Sequence, residues 1–193
     1  MSHARPLSRR QLARQSLVAL GALALAPALT AAPALADTAA EINVGADATL
    51  QRFYAKVHDG RSFLEKATGV LIFPKIVKAG IGIGGEYGEG VLRVGGKSVA
   101  YYSAAAGSVG LQLGAETRSV IIAFLTQDAL AKFRASSGWT AGVDGSVALV
   151  NIGEGGAIDT NTVKGPIVYF VFDPSGLMFN LSIEGTKFTQ IQR

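Results

Sequence analysis

The chain has no cysteine. That excludes disulfides, thiolate catalysis, Cys-ligated zinc and a lipid-modified N-terminal cysteine. Histidine is nearly as scarce: beyond residue 36 there is only His58, which excludes a multi-histidine metal site and leaves little room for a Ser-His-Asp enzyme. No acidic residue occurs before Asp37, whereas Arg5, Arg9, Arg10 and Arg14 crowd the start. Residues 37–193 hold 14 basic and 14 acidic residues, a net charge of zero, so the +4 of the whole chain belongs to its first segment. A nucleic-acid role resting on global charge is thereby excluded. Proline is sparse beyond residue 36 and glycine abundant, with 23 residues; this favours sharply curved or tightly packed β structure over disorder.

The first segment reads as an address. Residues 17–26 form an apolar run of ten, stopped by Pro27, too short to span a bilayer, which needs about 20. Ala34-Leu35-Ala36 is a small-x-small cleavage site before Asp37, so residues 1–36 are expected to be a cleaved signal peptide. Ser8-Arg9-Arg10-Gln11-Leu12-Ala13-Arg14 is similar to the twin-arginine export motif, with an ordinary Sec signal as the alternative. Either route places the mature protein, one domain over residues 37–193, in the periplasm or outside the cell.

In that domain Ile42, Ala46, Leu50, Phe53, Tyr54 and Val57 recur at intervals of three and four, predicting an amphipathic helix over 39–58 that stops at Asp59-Gly60. A short helical turn is expected at 62–67. Apolar stretches at 70–73, 91–94, 98–103, 108–113, 119–125, 140–150, 167–172 and 178–184 read as strands. Pro74 is expected to end the first. Gly95-Gly96 and Asp173-Pro174-Ser175-Gly176 are expected to be hairpin turns. One short internal helix is expected at 126–133, capped by Thr126. Between 79 and 85 glycine alternates with Ala79, Ile81 and Ile83, so one strand face is bare, which permits close backbone approach or a sharp bend. The fold class is α+β, mainly β: a curved antiparallel sheet or barrel-like domain with an N-terminal amphipathic helix and one short internal helix.

Catalytic motifs fail on context. Gly80-x-Gly82-x-x-Gly85 matches the dinucleotide fingerprint, but Glu86-Tyr87-Gly88-Glu89-Gly90 is a poor helix start and its carboxylates repel phosphate. Ala106-Gly107-Ser108-Val109-Gly110 is a variant nucleophile elbow in strand-like sequence, and His58 precedes Ser108, the wrong order for that fold. Glu86 with Glu89, or Asp144 with Glu154, read as scattered acids at turns rather than a glycosidase pair. Asp159-Thr160-Asn161 is short of ligands for a calcium loop. No cofactor and no enzymatic activity are expected. The charge pattern is more informative. Residues 52–78 carry Arg52, Lys56, Arg61, Lys66, Lys75 and Lys78 against Asp59 and Glu65, a net +4 in a neutral domain. With Phe53, Tyr54, Phe63 and Phe73 interleaved, this segment is either a solvated face or a contact for anionic lipid.

Phe73-Pro74-Lys75-Ile76-Val77-Lys78-Ala79-Gly80, followed by Gly84-Gly85-Glu86-Tyr87-Gly88-Glu89-Gly90-Val91-Leu92, resembles the SYLF domain family, the lipid-binding domain shared with yeast actin-binding endocytic proteins. The resemblance continues through Gly107-Ser108-Val109-Gly110-Leu111-Gln112-Leu113-Gly114, Ser137-Gly138-Trp139, Ser175-Gly176-Leu177 and Leu181-Ser182-Ile183-Glu184-Gly185, covering roughly residues 45–191. It implies a non-enzymatic phospholipid-binding domain, with Lys75 and Lys78 at the matching F-P-K-x-x-K-A-G positions. Arg52, Lys56, Arg61 and Lys66 join them on charge alone. The expected partner is anionic phospholipid or a membrane surface of the bacterial envelope, with an envelope protein as the alternative partner. An integral outer-membrane barrel is disfavoured because 119–125 lacks alternation. Oligomeric state is not legible.

Overall fold

The apolar runs at 70–73, 120–125 and 167–172 lie side by side in one sheet. The computed structural model describes residues 37–152, 165–176, 183 and 185–193. The signal segment, Glu154, Asp159-Thr160-Asn161 and most of the strand expected at 178–184 fall outside them. Within them are α1 (Ala39–Lys56), α2 (Gly60–Glu65), β1 (Gly69–Val94), β2 (Lys97–Phe124), α3 (Gln127–Ala135), β3 (Trp139–Thr140), β4 (Ala148–Asn151), β5 (Ile167–Gly176) and β6 (Lys187–Ile191). The mainly β architecture is as expected: a curled sheet forming a half-barrel, with a helix at its N-terminal side and few short helices.

β2 is the spine. It pairs with β1 along nearly its whole length, with β6 at 101–105 and with β5 at 116–124, all antiparallel. β3 extends the sheet beyond β6 and β4 beyond β5. The β4–β5 pair is parallel, so the sheet is mixed rather than wholly antiparallel. Several expected strands are parts of longer ones. Pro74 does not end β1 but sits at a register shift between Phe73 and Ile76; β1 pairs with β2 alone among the described strands, and an edge tolerates a residue without an N–H. Asp173-Pro174-Ser175-Gly176 is not a hairpin turn. It continues β5, with Asp173 at φ +55° beside a register shift between Thr117 and Ser119, so its turn chemistry serves a bulge. The expected strand at 140–150 is interrupted by a turn in which Asp144 Oδ2 accepts from the Thr140 N–H at 2.6 Å. β6 was not expected. Gly95-Gly96 is the expected hairpin turn, with φ of +56° and +77°, the left-handed pair that a two-residue connection demands.

α1 begins with a capping box that Thr38-x-x-Glu41 encodes. Thr38 Oγ1 accepts from the Glu41 N–H at 3.2 Å, and Glu41 Oε2 accepts from the Thr38 N–H at 2.7 Å. α3 is capped by Thr126, whose hydroxyl accepts from the Ala129 N–H. The stripe on α1 is spent on the core: Ile42, Ala46, Phe53 and Val57 are buried and Leu50 and Tyr54 partly so. Phe53 meets Phe170 and Phe172 at 5.1 and 5.6 Å between ring centroids.

The long apolar runs arise because the sheet is covered on both faces. Ile72, Ile121, Ala123, Val168, Phe170 and Phe172 face α1 and α2. Their neighbours Leu71, Phe73, Val120, Ile122, Phe124, Tyr169 and Val171 face the interior of the half-barrel, which α3, Trp139 and Phe188 close. Successive strand residues point to opposite faces, so double coverage erases the alternation.

The bare glycine face does produce a bend. A Cβ on Gly80 would strike the Cα of Gly84 and lie 2.8 Å from the Ile83 carbonyl, although residues four apart in an extended strand are about 13 Å apart. β1 therefore folds back at 81–83, while β2 takes the longer path, with Gly80 opposite Gly114 and Gly84 opposite Ser108. The two limbs of β1 then lie face to face. A Cβ on Gly90 would meet the Ile72 carbonyl and, at 2.7 Å, the Phe73 ring. Beyond the register shift at Pro74, positions 76, 78, 86 and 88 are buried on the inner face of the ribbon, whereas the odd-numbered positions from 75 to 87 are exposed on its outer face.

Candidate functional site

This parity separates the two lysines of the F-P-K-x-x-K pattern. Lys75 is on the outer face and exposed; Lys78, three residues on, is on the inner face and 7% exposed. Both are expected head-group contacts; Lys75 is open to solvent and Lys78 is not. The remaining basic residues also divide. Arg52 Nε donates to Asp173 Oδ2 at 2.8 Å, and its Nη2 donates to Thr49 Oγ1 and Ser119 Oγ at 3.1 Å each. Lys56 Nζ lies 2.9 Å from Asp173 Oδ1. Both thus tie α1 to the β5 bulge. Arg61 stacks over the Tyr54 ring at 4.3 Å, a cation–π contact. Lys66 and Lys75 are exposed and form no ion pair with a described residue. Of the interleaved aromatics, Phe53, Phe63 and Phe73 are buried and Tyr54 is partly so, as the apolar stripe of α1 packs against the sheet.

Asp173 is partly buried, which raises its carboxyl pKa, but hydrogen bonds from Lys56 and Arg52 outweigh this and hold it below its ordinary value. A depressed folded-state pKa contributes stability above the unfolded value, about 3.9, that is lost as pH falls through the folded one. Asp173→Asn is therefore expected to lower stability at neutral pH and to flatten its decline in urea unfolding midpoints below about pH 4. An unchanged acid limb would show that Arg52 and Lys56 do not hold this carboxylate.

Inside the ribbon lies a charged cluster that the sequence did not announce. Arg118 is ion-paired to Glu86, and its Nη1 is 3.7 Å from Glu116 Oε1. Thr186 Oγ1 donates to Glu86 Oε1 at 3.0 Å. All four residues are buried. Burial alone would lower the arginine pKa, but Glu86, with Tyr169 and Glu116, more than compensates, and the net shift is upward. Burial likewise pushes the Tyr169 phenol up, with the Arg118 guanidinium pulling partly against it. Arg118 Nε and Nη1, Glu116 Oε2 and the Tyr169 hydroxyl have no hydrogen-bond partner among the described residues.

Glu86 and Glu89 are accordingly not acids at turns. Both are buried within β1, and three-residue spacing sends them to opposite sides. Glu89 receives Arg193 through two nitrogens and the Tyr87 hydroxyl at 2.6 Å. Burial and this carboxylate push the Tyr87 phenol up to about 12. The two carboxylates are not brought together as a glycosidase pair. The nucleotide fingerprint lies wholly within β1, and Ser108 lies within β2 rather than at a strand-to-helix turn.

The outer face is different in kind. Lys75, Val77, Ala79, Ile81, Ile83, Gly85 and Tyr87 are all exposed, with Ile81 at 78% and Ile83 at 76%. Elsewhere a cavity of about 380 Å³ opens between α1, α2 and the β1–β2 turn, lined by Leu50, Tyr54, Leu64, Val70, Ile72 and Arg93 among others. Among the described residues no helix is long and apolar enough to cross a membrane, and no group of three potential metal ligands occurs.

Residues 105–193 match the model of the family described as Ysc84, Las17-binding protein actin regulator. The match covers the C-terminal 89 of 193 residues and is consistent with the resemblance to the SYLF domain family. No curated protein matches the chain. The matched segment supplies Glu116, Arg118, Tyr169, Thr186 and Arg193 to the buried polar groups. Lys75 and Lys78 precede the match. The family supports a lipid- or actin-related binding role.

Proposed function

We propose that this chain is an exported, non-enzymatic SYLF-type protein of the bacterial cell envelope that makes peripheral contact with anionic phospholipid. The observation carrying this reading is that Lys66 and Lys75, on the basic segment, are exposed and form no ion pair with a described residue. In a domain of zero net charge, attraction to a membrane has to be local, and each basic residue near an anionic surface contributes about 1 kcal/mol. The arginine-rich signal and the lack of cysteine support export by the twin-arginine route, in which the protein folds before crossing the membrane.

Flotation with phosphatidylcholine vesicles, with and without phosphatidylglycerol, tests the reading. Binding is expected on the anionic vesicles, and Lys66→Glu with Lys75→Glu is expected to weaken it at least tenfold while leaving the unfolding midpoint unchanged. Lys78 is left out of this variant because a charge reversal on the inner face would disturb the fold. Equal flotation on neutral vesicles would overturn the electrostatic contact. An envelope protein partner is the second reading, favoured by the exposed apolar face of β1; capture of one defined protein that survives lipid depletion would support it.

A further inference from the structure

The outer face of the β1 fold-back has a layered order. At the tip stand Ile81 and Ile83, the two most exposed large hydrophobic residues of the face. Behind them on the two limbs come Ala79 and Gly85, then Val77 at 39% and Tyr87 at 50% exposure. Behind Val77 comes exposed Lys75. No ionisable residue other than Tyr101 and Tyr102 occurs at 79–85 or 98–115, the segments that make the tip and its partner strand. The nearest acids, Glu86, Glu89 and Glu116, are buried and paired with arginines. The glycines on the inner face are what allow the ribbon to fold so that this face turns outward. An apolar crest, an aromatic residue behind it and a cation farther back is the order of a bilayer boundary: acyl region, interface, phosphate layer.

We infer that the β1 fold-back is a membrane wedge, with Ile81 and Ile83 entering the outer acyl region of an anionic bilayer while Tyr87 and Lys75 stay at head-group level. The inference rests on the lipid-binding reading above and adds the part of the molecule that inserts. Insertion is confined to side chains, because hydrocarbon does not satisfy the backbone groups of an open ribbon edge. Charge complementarity selects a bilayer as the occupant: Lys75 suits phosphate, and an uncharged crest suits acyl chains.

The test compares the wild-type protein with Ile81→Ser/Ile83→Ser on phosphatidylglycerol-containing vesicles. The variant is expected to lose about 10- to 100-fold in partitioning with an unchanged unfolding midpoint, both residues being solvent-exposed. If the wild type itself does not bind, the underlying reading fails. If wild type and variant bind equally, lipid contact stands and the wedge is overturned. A wild-type dimer in buffer that the substitutions dissociate would also overturn it and assign the crest to a second copy. Should the double variant fail to fold, Ile81→Trp replaces it. The native tryptophan, Trp139, is buried, so fluorescence of the new indole quenched by acyl-brominated lipid supports insertion, and no quenching overturns it.

Discussion

Replacing Arg118 with methionine is expected to destabilise the domain by about 3–5 kcal/mol, the range for removing one partner of a buried ion pair. The guanidinium is the cation shared by Glu86 and Glu116, and all three are buried. Methionine fills much of the same volume, so the loss comes chiefly from carboxylates left in a low-dielectric interior without a counter-charge. In a domain of this size that corresponds to a fall in Tm of roughly 10 °C. Urea unfolding measures it directly. Arg118→Lys, which keeps the charge but loses the fork, is expected to fall between wild type and methionine. A loss below about 1 kcal/mol for methionine would mean that the cluster is solvated or already neutral.

The second large effect is steric. Gly90→Ala places a methyl group against the Ile72 carbonyl and the Phe73 ring, where the two limbs of β1 cross. Neither neighbour is the free end of a flexible chain, so the limbs must separate, at an expected cost of about 1–3 kcal/mol or more. Gly107→Ala is the matched control: its methyl group meets nothing within 4 Å and is expected to change stability by no more than about 0.5 kcal/mol. If the two variants unfold at the same midpoint, the folded-over ribbon is wrong.

These two positions mark how far the sequence was legible. The stripe on α1, the cap at Thr126, the Gly95-Gly96 turn and the mainly β class follow from local periodicity and turn chemistry, and the structure has them. The glycine–isoleucine alternation allowed either a close approach or a bend, but did not show which residues would meet across the bend or that the isoleucine face would be exposed. Pro74 and Asp173-Pro174-Ser175-Gly176 misled because proline and turn residues serve bulges as well as ends; only the pairing of β1 and β5 with β2 shows which use applies. β6 was hidden because Lys187-Phe188-Thr189-Gln190-Ile191 is short and polar, and what holds it is β2 beside it.

The basic segment was legible as charge and not as a surface. Spacing along a strand fixes parity, and parity separates Lys75 from Lys78, but it could be read only once the run beyond Pro74 was known to remain a strand. Arg52 and Lys56 share one counter-charge, Asp173, 121 and 117 residues away in sequence. The Arg118–Glu86 pair spans 32 residues. No local signal reports such partners. The nearest hint was Glu116-Thr117-Arg118-Ser119, a polar stretch set against an apolar run in one strand.

The central claim is that a neutral domain binds membranes through a small exposed surface rather than through net charge. The most direct measurement is the equilibrium partition of the purified protein between buffer and vesicles as phosphatidylglycerol content and salt are varied. The account predicts binding that rises with anionic content and weakens with added salt, as expected of exposed cations, yet keeps a salt-resistant remainder from apolar insertion. Partitioning that is absent at every composition, or present and indifferent to both variables, would contradict it.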